Sequence, residues 1–399
     1  MPNVWENNRI TIPKLARAYS EDFSFGGRPV KAARLFGPEP QGQRLANPAV
    51  VPPDSAHCCA WNSSGTMLAV GHYTSPYLTV YYYNGETFTK LANPATLPTG
   101  TVYGVAWHPN NVHLAVGMNN APYVHVYTVY PPADGSTDIT KQAADPATTP
   151  TGRVYDLEFS PDGRILSVGH VNSPFLSNYQ YAANVGVGSP TLTKLSNPAS
   201  LPSGSVGGVS WHPSGRYLSI GTSLTPYVAT YQFNGVTFTK LANPASLPDT
   251  VDGPHVPKWS PCGRYLAVSM LSSPYGCFYY VEPATMEHTK YNLAGQSEPM
   301  TGLDWSPDGR FIASSGVSQL AGSPGLVVHR FFGTGASGLT YITPAPTTND
   351  VGNGVSFSPD GKLLAFVCLS PPYIAIYKAA SDGRQVGMLV DLEVQSNIP

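Results

Sequence analysis

The sequence predicts an all-β chain, a ring of seven four-stranded antiparallel sheets, and three observations carry that prediction. A unit of roughly fifty residues recurs seven times, and each copy alternates apolar and polar residues before a tight turn. Glycine (39) and proline (40) are so frequent among the 399 residues that the chain must reverse often.

The repeat is read from an aromatic anchor that precedes a turn: Trp61 (WNSSG), Trp107 (WHPNN), Phe159 (FSPDG), Trp211 (WHPSG), Trp259 (WSPCG), Trp305 (WSPDG) and Phe357 (FSPDG). Two residues before each stand Cys59, Val105, Leu157, Val209, Pro257, Leu303 and Val355, the period-two alternation of a first strand. Asp-Gly, Ser-Gly, Cys-Gly or Asn-Asn then reverses the chain, because these residues tolerate positive φ. A second strand carries Leu68, Leu114, Leu166, Leu218, Leu266, Ile312 and Leu364, each contributing about 1.5 to 3 kcal/mol on burial. The residue after each is Ala or Ser, which predicts a close neighbour on that face.

Pro76, Pro122, Pro174, Pro226, Pro274 and Pro372 are placed to open a third strand, where proline removes no ladder donor. In the sixth unit, extra residues in the "SQLAG" region displace the proline to Pro324 and predict a protruding loop. Third strands hold Tyr81, Tyr127, Tyr179, Tyr231, Tyr279 and Tyr377, and a fourth follows at "TFTKLANPA" or a relative of it, read as the outer edge of the sheet.

Sheets with two apolar faces bury both by stacking radially, with first strands around the axis. Glycine at Gly104, Gly208, Gly302 and Gly354 suits that crowding. Two segments compete to complete the last sheet: "GQRLANPAVVP" at Gly42–Pro52 and "DGRQVGMLVDL" at Asp382–Leu392. The chain therefore divides into an arm at 1–42, the ring at 43–392 and a tail at 393–399.

The arm matches no repeat. Residues 1–44 hold seven Lys/Arg and four acids, a balance of +3 that leaves −5 for the remainder. Its apolar residues stand singly, so an extended anchor is expected, docking on a neighbour through Trp5, Arg9, Lys14, Arg17, Phe23, Phe25, Arg28, Lys31, Arg34 and Phe36.

Only 12% of residues are charged, which suits a protein locked into an assembly, and the net charge of −2 argues against a nucleic-acid partner. No stretch approaches the ~20 apolar residues of a membrane span, and the N-terminus lacks an apolar signal core, so synthesis in the cytoplasm without secretion is expected. Five cysteines without a CxxC pair predict neither a disulfide framework nor a zinc site; Cys58 and Cys59 read as buried thiols. His108 and His113 approach across one turn without a third ligand. Catalytic and nucleotide motifs are missing, so no enzyme and no cofactor are expected. Binding candidates are the aromatics after each proline, Tyr77, Tyr123, Phe175, Tyr227, Tyr275 and Tyr373, on the face of the second-to-third-strand loops. Near the axis, Tyr103, Tyr155, Asp156, His255, Asp304 and Asn353 are the polar candidates.

Over Gln43 to Leu392 the repeats resemble the WD-repeat and related seven-bladed β-propellers, although Tyr replaces the Trp that ends their third strand and no Asp follows it. The unit "SPDG…LAV…SPY…VY…TKLANPA" looks similar to propeller repeats of phage virion proteins. That resemblance implies a tail- or capsid-attached structural protein in several copies, held by its arm to other virion proteins and displayed toward a host-surface glycan or protein, or for particle stability. A cytoplasmic bacterial interaction scaffold is the first alternative. The second is a lactonase-like enzyme, which would need convergent charged residues around the axis.

Overall fold

A computed structural model describes residues 20–25, 28–33, 43–130, 139–141, 145–182, 190–248, 255–292, 299–316, 325–331, 339–342 and 351–378. The chain divides into two compact units, one of residues 42–379 and one of residues 1–41 with 380–399.

In the smaller unit, Ser20–Phe25 pairs antiparallel with Arg28–Ala33, from Ser20 opposite Ala33 to Phe25 opposite Arg28. The expected extended arm therefore contains a hairpin, and its sequence signal is the alternation "SEDFSF" and "RPVKAA" on either side of Gly26-Gly27. Phe23, Phe25, Arg28 and Lys31 lie on these strands; Trp5, Arg9, Lys14, Arg17, Arg34 and Phe36 lie outside the described residues.

The larger unit contains seven four-stranded antiparallel sheets and no helix among its described residues. Blade one comprises Ala56–Trp61, Met67–His72, Leu78–Tyr83 and Phe88–Lys90. Every first strand ends on its anchor, from Trp61 through Phe357. First strands adjoin one another in sequence order, and that of blade seven returns to that of blade one, so the sheets close a ring. Blade seven takes its fourth strand from the other end of the unit: Gln43 and Arg44 pair with Lys378 and Tyr377. The N-terminal candidate thus completes the ring, while Asp382–Leu392 and the "SQLAG" loop lie outside the described residues.

The small residue after each second-strand Leu leaves room for the anchor of the next blade. Ala69 clusters with Trp107, Ala115 with Phe159, Ala267 with Trp305, and Ala365 with Trp61. Where serine replaces alanine it adds a hydrogen bond, as when Trp259 Nε1 donates to Ser219 Oγ at 3.1 Å. Ala115 is fully buried. Ala115→Leu is expected to overpack this seam by about 1 to 3 kcal/mol, read as a lower denaturation midpoint; an unchanged midpoint would refute the packing direction.

The fourth strand is shorter than the repeated phrase, because in blade one "FTK" pairs and Leu91 N–H still bonds the Val80 carbonyl, whereas "ANPA" runs past the edge toward the next blade. There the next blade's buried tyrosine holds it. Tyr81 donates its hydroxyl to the Val50 carbonyl at 2.9 Å, and Tyr127, Tyr179, Tyr231 and Tyr279 donate to the carbonyls of Thr96, Thr148, Ser200 and Ser246. Lys90 Nζ donates to Asn93 Oδ1 at 2.6 Å, and Lys141 pairs with Asp145 at 2.8 Å. The phrase recurs because each copy forms a seam between two blades.

Third strands begin two residues later than proline suggested, at Leu78, Val124, Leu176, Val228, Gly276 and Ile374. Proline and the following aromatic form the preceding turn: Tyr77 N–H donates to the Thr74 carbonyl and the Tyr77 carbonyl accepts from His72 N–H.

Candidate interaction surface at the channel mouth

The first strands line an axial channel, and their N-terminal ends frame its mouth. In six blades a bulge interrupts the pairing of first and second strands, skipping His57, Tyr103, Tyr155, Gly207, Thr301 and Asn353. A bulged residue is released from the ladder and can be re-aimed, which is how bulges serve binding sites. His255 takes the same place in blade five, just before the strand at Pro257.

Contacts run along this ring. The His57 ring lies 4.7 Å from that of Tyr103, and Tyr103 meets Tyr155 edge-on at 6.4 Å. Tyr73, exposed on the second-to-third-strand loop of blade one, comes within 6.2 Å of His57. The Arg153 guanidinium stacks 4.5 Å from the Tyr155 ring and 5.3 Å from Tyr103, and donates to the Tyr155 hydroxyl. Asn353 Nδ2 donates to the Ala56 carbonyl at 3.0 Å and to His57 Nδ1 at 3.4 Å. Thr301 donates to the Gly352 carbonyl, and His255 faces Tyr227 with its Nδ1 against the Ser269 carbonyl. Blades one to three thus supply an aromatic arc, blade four only Gly207, and blades five to seven the polar groups of His255, Thr301 and Asn353.

Deeper in the channel stand Asp156, Glu158, Lys258 and Asp304. Asp156 accepts from Leu157 and Val209 N–H, Asp304 from Trp305 and Phe357 N–H, and Glu158 from Trp211 N–H. Lys258 Nζ lies 4.0 Å from Glu158. Burial pushes Glu158 up to about 7 and Asp304 up to about 6, against the opposing pull of the Lys258 charge. These carboxylates are committed to backbone N–H groups across neighbouring blades and hold the first strands together. Backbone crowding confirms the axial position: a Cβ on Gly104 would lie 3.1 Å from the Asp156 Cα, and one on Gly208 2.8 Å from the Val256 Cα.

All six post-proline aromatics stand on the mouth face, half-buried and at positive φ, from 63° at Tyr275 to 71° at Tyr123. That conformation costs a bulky residue on the order of 1 kcal/mol or more. Tyr77, Tyr123, Phe175 and Tyr373 pack into clusters that span two blades each. Among the axial candidates, Tyr103, Tyr155, His255 and Asn353 gather at the mouth, with Asp156 and Asp304 below.

The sequence reading misses His57, Arg153, Glu158 and Lys258. His57 shares the register of Tyr103, four residues before the anchor, and Glu158 and Lys258 share that of Asp304, so the alignment holds a signal for these three. Elsewhere, His108 and His113 meet protein groups: His108 Nε2 lies against the Gly163 carbonyl, and His113 Nδ1 against the Tyr181 hydroxyl. Among the described residues no group of three His, Cys, Asp or Glu side chains is placed to hold a metal ion. Cys58 and Cys59, expected as buried thiols, are half-buried, and desolvation pushes both thiols well up.

Residues 287–319, from the end of blade five into blade six, match the family model described as "WD domain, G-beta repeat". The chain is a WD-repeat-like seven-bladed β-propeller. Similar solved structures include the β-propeller domain of Myceliophteria thermophila Cps50 (Swd1), at TM-score 0.57 and 13% identity over 85% of this chain and 99% of that one. Another is a chain of a Mitotic Checkpoint Complex, at TM-score 0.58 and 19% identity over 88% of this chain and 99% of that one. At these identities the likeness establishes the propeller architecture. No curated protein matches the sequence significantly.

Proposed function

We propose that the propeller is a non-catalytic protein-interaction module that engages its partner across the mouth face. The aromatic arc carries this reading, because Tyr73, His57, Tyr103 and Tyr155 run without interruption from the rim to the axis. Aromatic side chains of this kind anchor protein interfaces. Leu224 and Leu369 extend the apolar surface on the equivalent loops of blades four and seven, at 57% and 39% exposure. The post-proline aromatics form its rim. Similarity to a chain solved within a Mitotic Checkpoint Complex supports the same reading.

Photo-crosslinking tests the face. A benzoylphenylalanine at Leu224 or Leu369 should form an adduct of one mass in the native cell, lost in Tyr103→Ala, while the same group at Val236, on a turn at the opposite end, should form none. Adducts from Val236 alone would move the interface to the other face.

A place in a virion is a narrower proposal, supported by the repeat wording, the low charge and the +3 arm. Deleting residues 1–38 removes none of the described propeller strands, so the melting temperature should hold within a few degrees. Incorporation into a particle should be abolished. Assembly of the truncated chain would refute the arm as anchor.

A further inference from the structure

We infer that the channel mouth binds a carboxylate, presented by an acidic residue of a partner polypeptide, at the Arg153 guanidinium beside Tyr103. The inference rests on the mouth face being the interaction surface and adds the chemistry that the face selects.

Two buried polar atoms there lack partners among the described residues: Arg153 Nε and His57 Nε2. With His57 Nδ1 accepting from Asn353, the ring proton sits on Nε2, so both atoms are donors. Buried donors without acceptors are costly, and here they mark a donor-rich mouth at which Arg153 itself is only half-buried. Tyr103 lies between them, 4.7 Å from the His57 ring and 5.3 Å from the Arg153 guanidinium.

Charge selects the acceptor. Arg153 has no acidic partner among the described residues, and its planar donors suit a carboxylate. Of the acids nearest the mouth, Asp54 accepts at Oδ1 from the Ser55 N–H at 2.7 Å and hydroxyl at 3.3 Å, and Asp156 accepts from two backbone N–H groups; neither pairs with Arg153. An aromatic arc also suits a cation, but Arg153 already lies over both tyrosine rings, so that place is filled from within the chain. A polypeptide source is favoured over a free acid because Tyr73, at 55% exposure, continues the aromatic surface outward beyond the reach of a small ion.

The test selects twelve-residue peptides from a random displayed library on the full chain, then retains those whose binding is lost in Tyr103→Ala. The retained peptides should carry Asp or Glu. Changing that acid to its amide should weaken binding at least tenfold on the native chain and no more than twofold on Arg153→Gln, with Arg153→Lys intermediate. Each variant is accepted only if its melting temperature matches the parent. Acetate at millimolar concentration should not displace the peptide. Mouth-dependent peptides indifferent to the amide change would overturn the carboxylate while leaving the interaction face standing. Displacement by acetate would overturn the polypeptide source. A library giving no peptide sensitive to Tyr103→Ala would overturn both the carboxylate and the face.

Discussion

Gly221→Val is expected to cost about 3 to 5 kcal/mol, at the severe end for a single substitution. Gly221 lies in the second strand of blade four, and even a Cβ there would fall onto the His255 carbonyl, with the His255 Cα 3.1 Å away. Backbone cannot turn aside as a side chain can, so either the two blades part or His255 is driven from the mouth. Gly85 provides the control. It has φ of 99°, but a Cβ added there would meet nothing within 4 Å, so Gly85→Ala should cost only the strain of that conformation, about 1 kcal/mol. Chemical denaturation of the two variants decides: equal midpoints would mean that blades four and five are not packed as described.

Acid is expected to unfold the propeller between pH 6.5 and 4, the second large effect. Burial holds His72, His125, His170 and His329 down to about 4, and all four side chains are almost fully enclosed. A histidine whose folded pKa lies below its unfolded value of about 6.5 binds its proton preferentially in the unfolded chain. Its contribution to stability is therefore complete above pH 6.5 and falls away as the pH drops toward 4. At about 1.4 kcal/mol per pKa unit, four such groups together amount to on the order of 10 kcal/mol. Asp156, Glu158 and Asp304 act in the opposite direction, since their raised pKa values favour the folded state as acid is added, but they are fewer and only half-buried. Melting temperature should fall steadily across this window, and His170→Met, which copies Met118 and Met270 at the equivalent position, should flatten the fall. A melting temperature that rises on acidification would show that the channel carboxylates dominate.

The blade plan is legible in the sequence because its signals repeat. Seven anchors, seven leucine-type residues and seven small neighbours reinforce one another, and each first strand ends where its anchor stands. The site is less legible for the opposite reason. Arg153 occurs in one copy, so alignment of the repeats dilutes it, and His57 returns at its register only as His255. Bulges are also invisible to alternation, because a pattern of apolar and polar residues records positions and not which residues face one another across the ladder. The turn at Tyr77 hides for a third reason: tyrosine carries no expectation of positive φ, and what holds it there is packing between two blades with the hydrogen bonds from Tyr77 to Thr74 and from His72 to Tyr77. The tyrosine seam is legible in part. Its residues stand out in the repeat, but a hydroxyl reaching some thirty residues back to the preceding crossing has no local signature.

The pairing of Gln43 and Arg44 with Lys378 and Tyr377 makes the ring a clasp fastened by its two ends. During synthesis the first half of that clasp leaves the ribosome before blade one and must wait, unpaired, until the final strand of blade seven follows. Six blades can form in order of translation, yet the circle stays open, with the first strands of blades one and seven unjoined. Closure is then a late event, in which the pairing of Gln43 and Arg44 accompanies the joining of blades one and seven through their first strands and the cluster around Trp61 and Ala365. The same logic sets the weak point under load: traction on the N-terminus bears directly on the clasp, and its release would expose the edge of blade seven before any other.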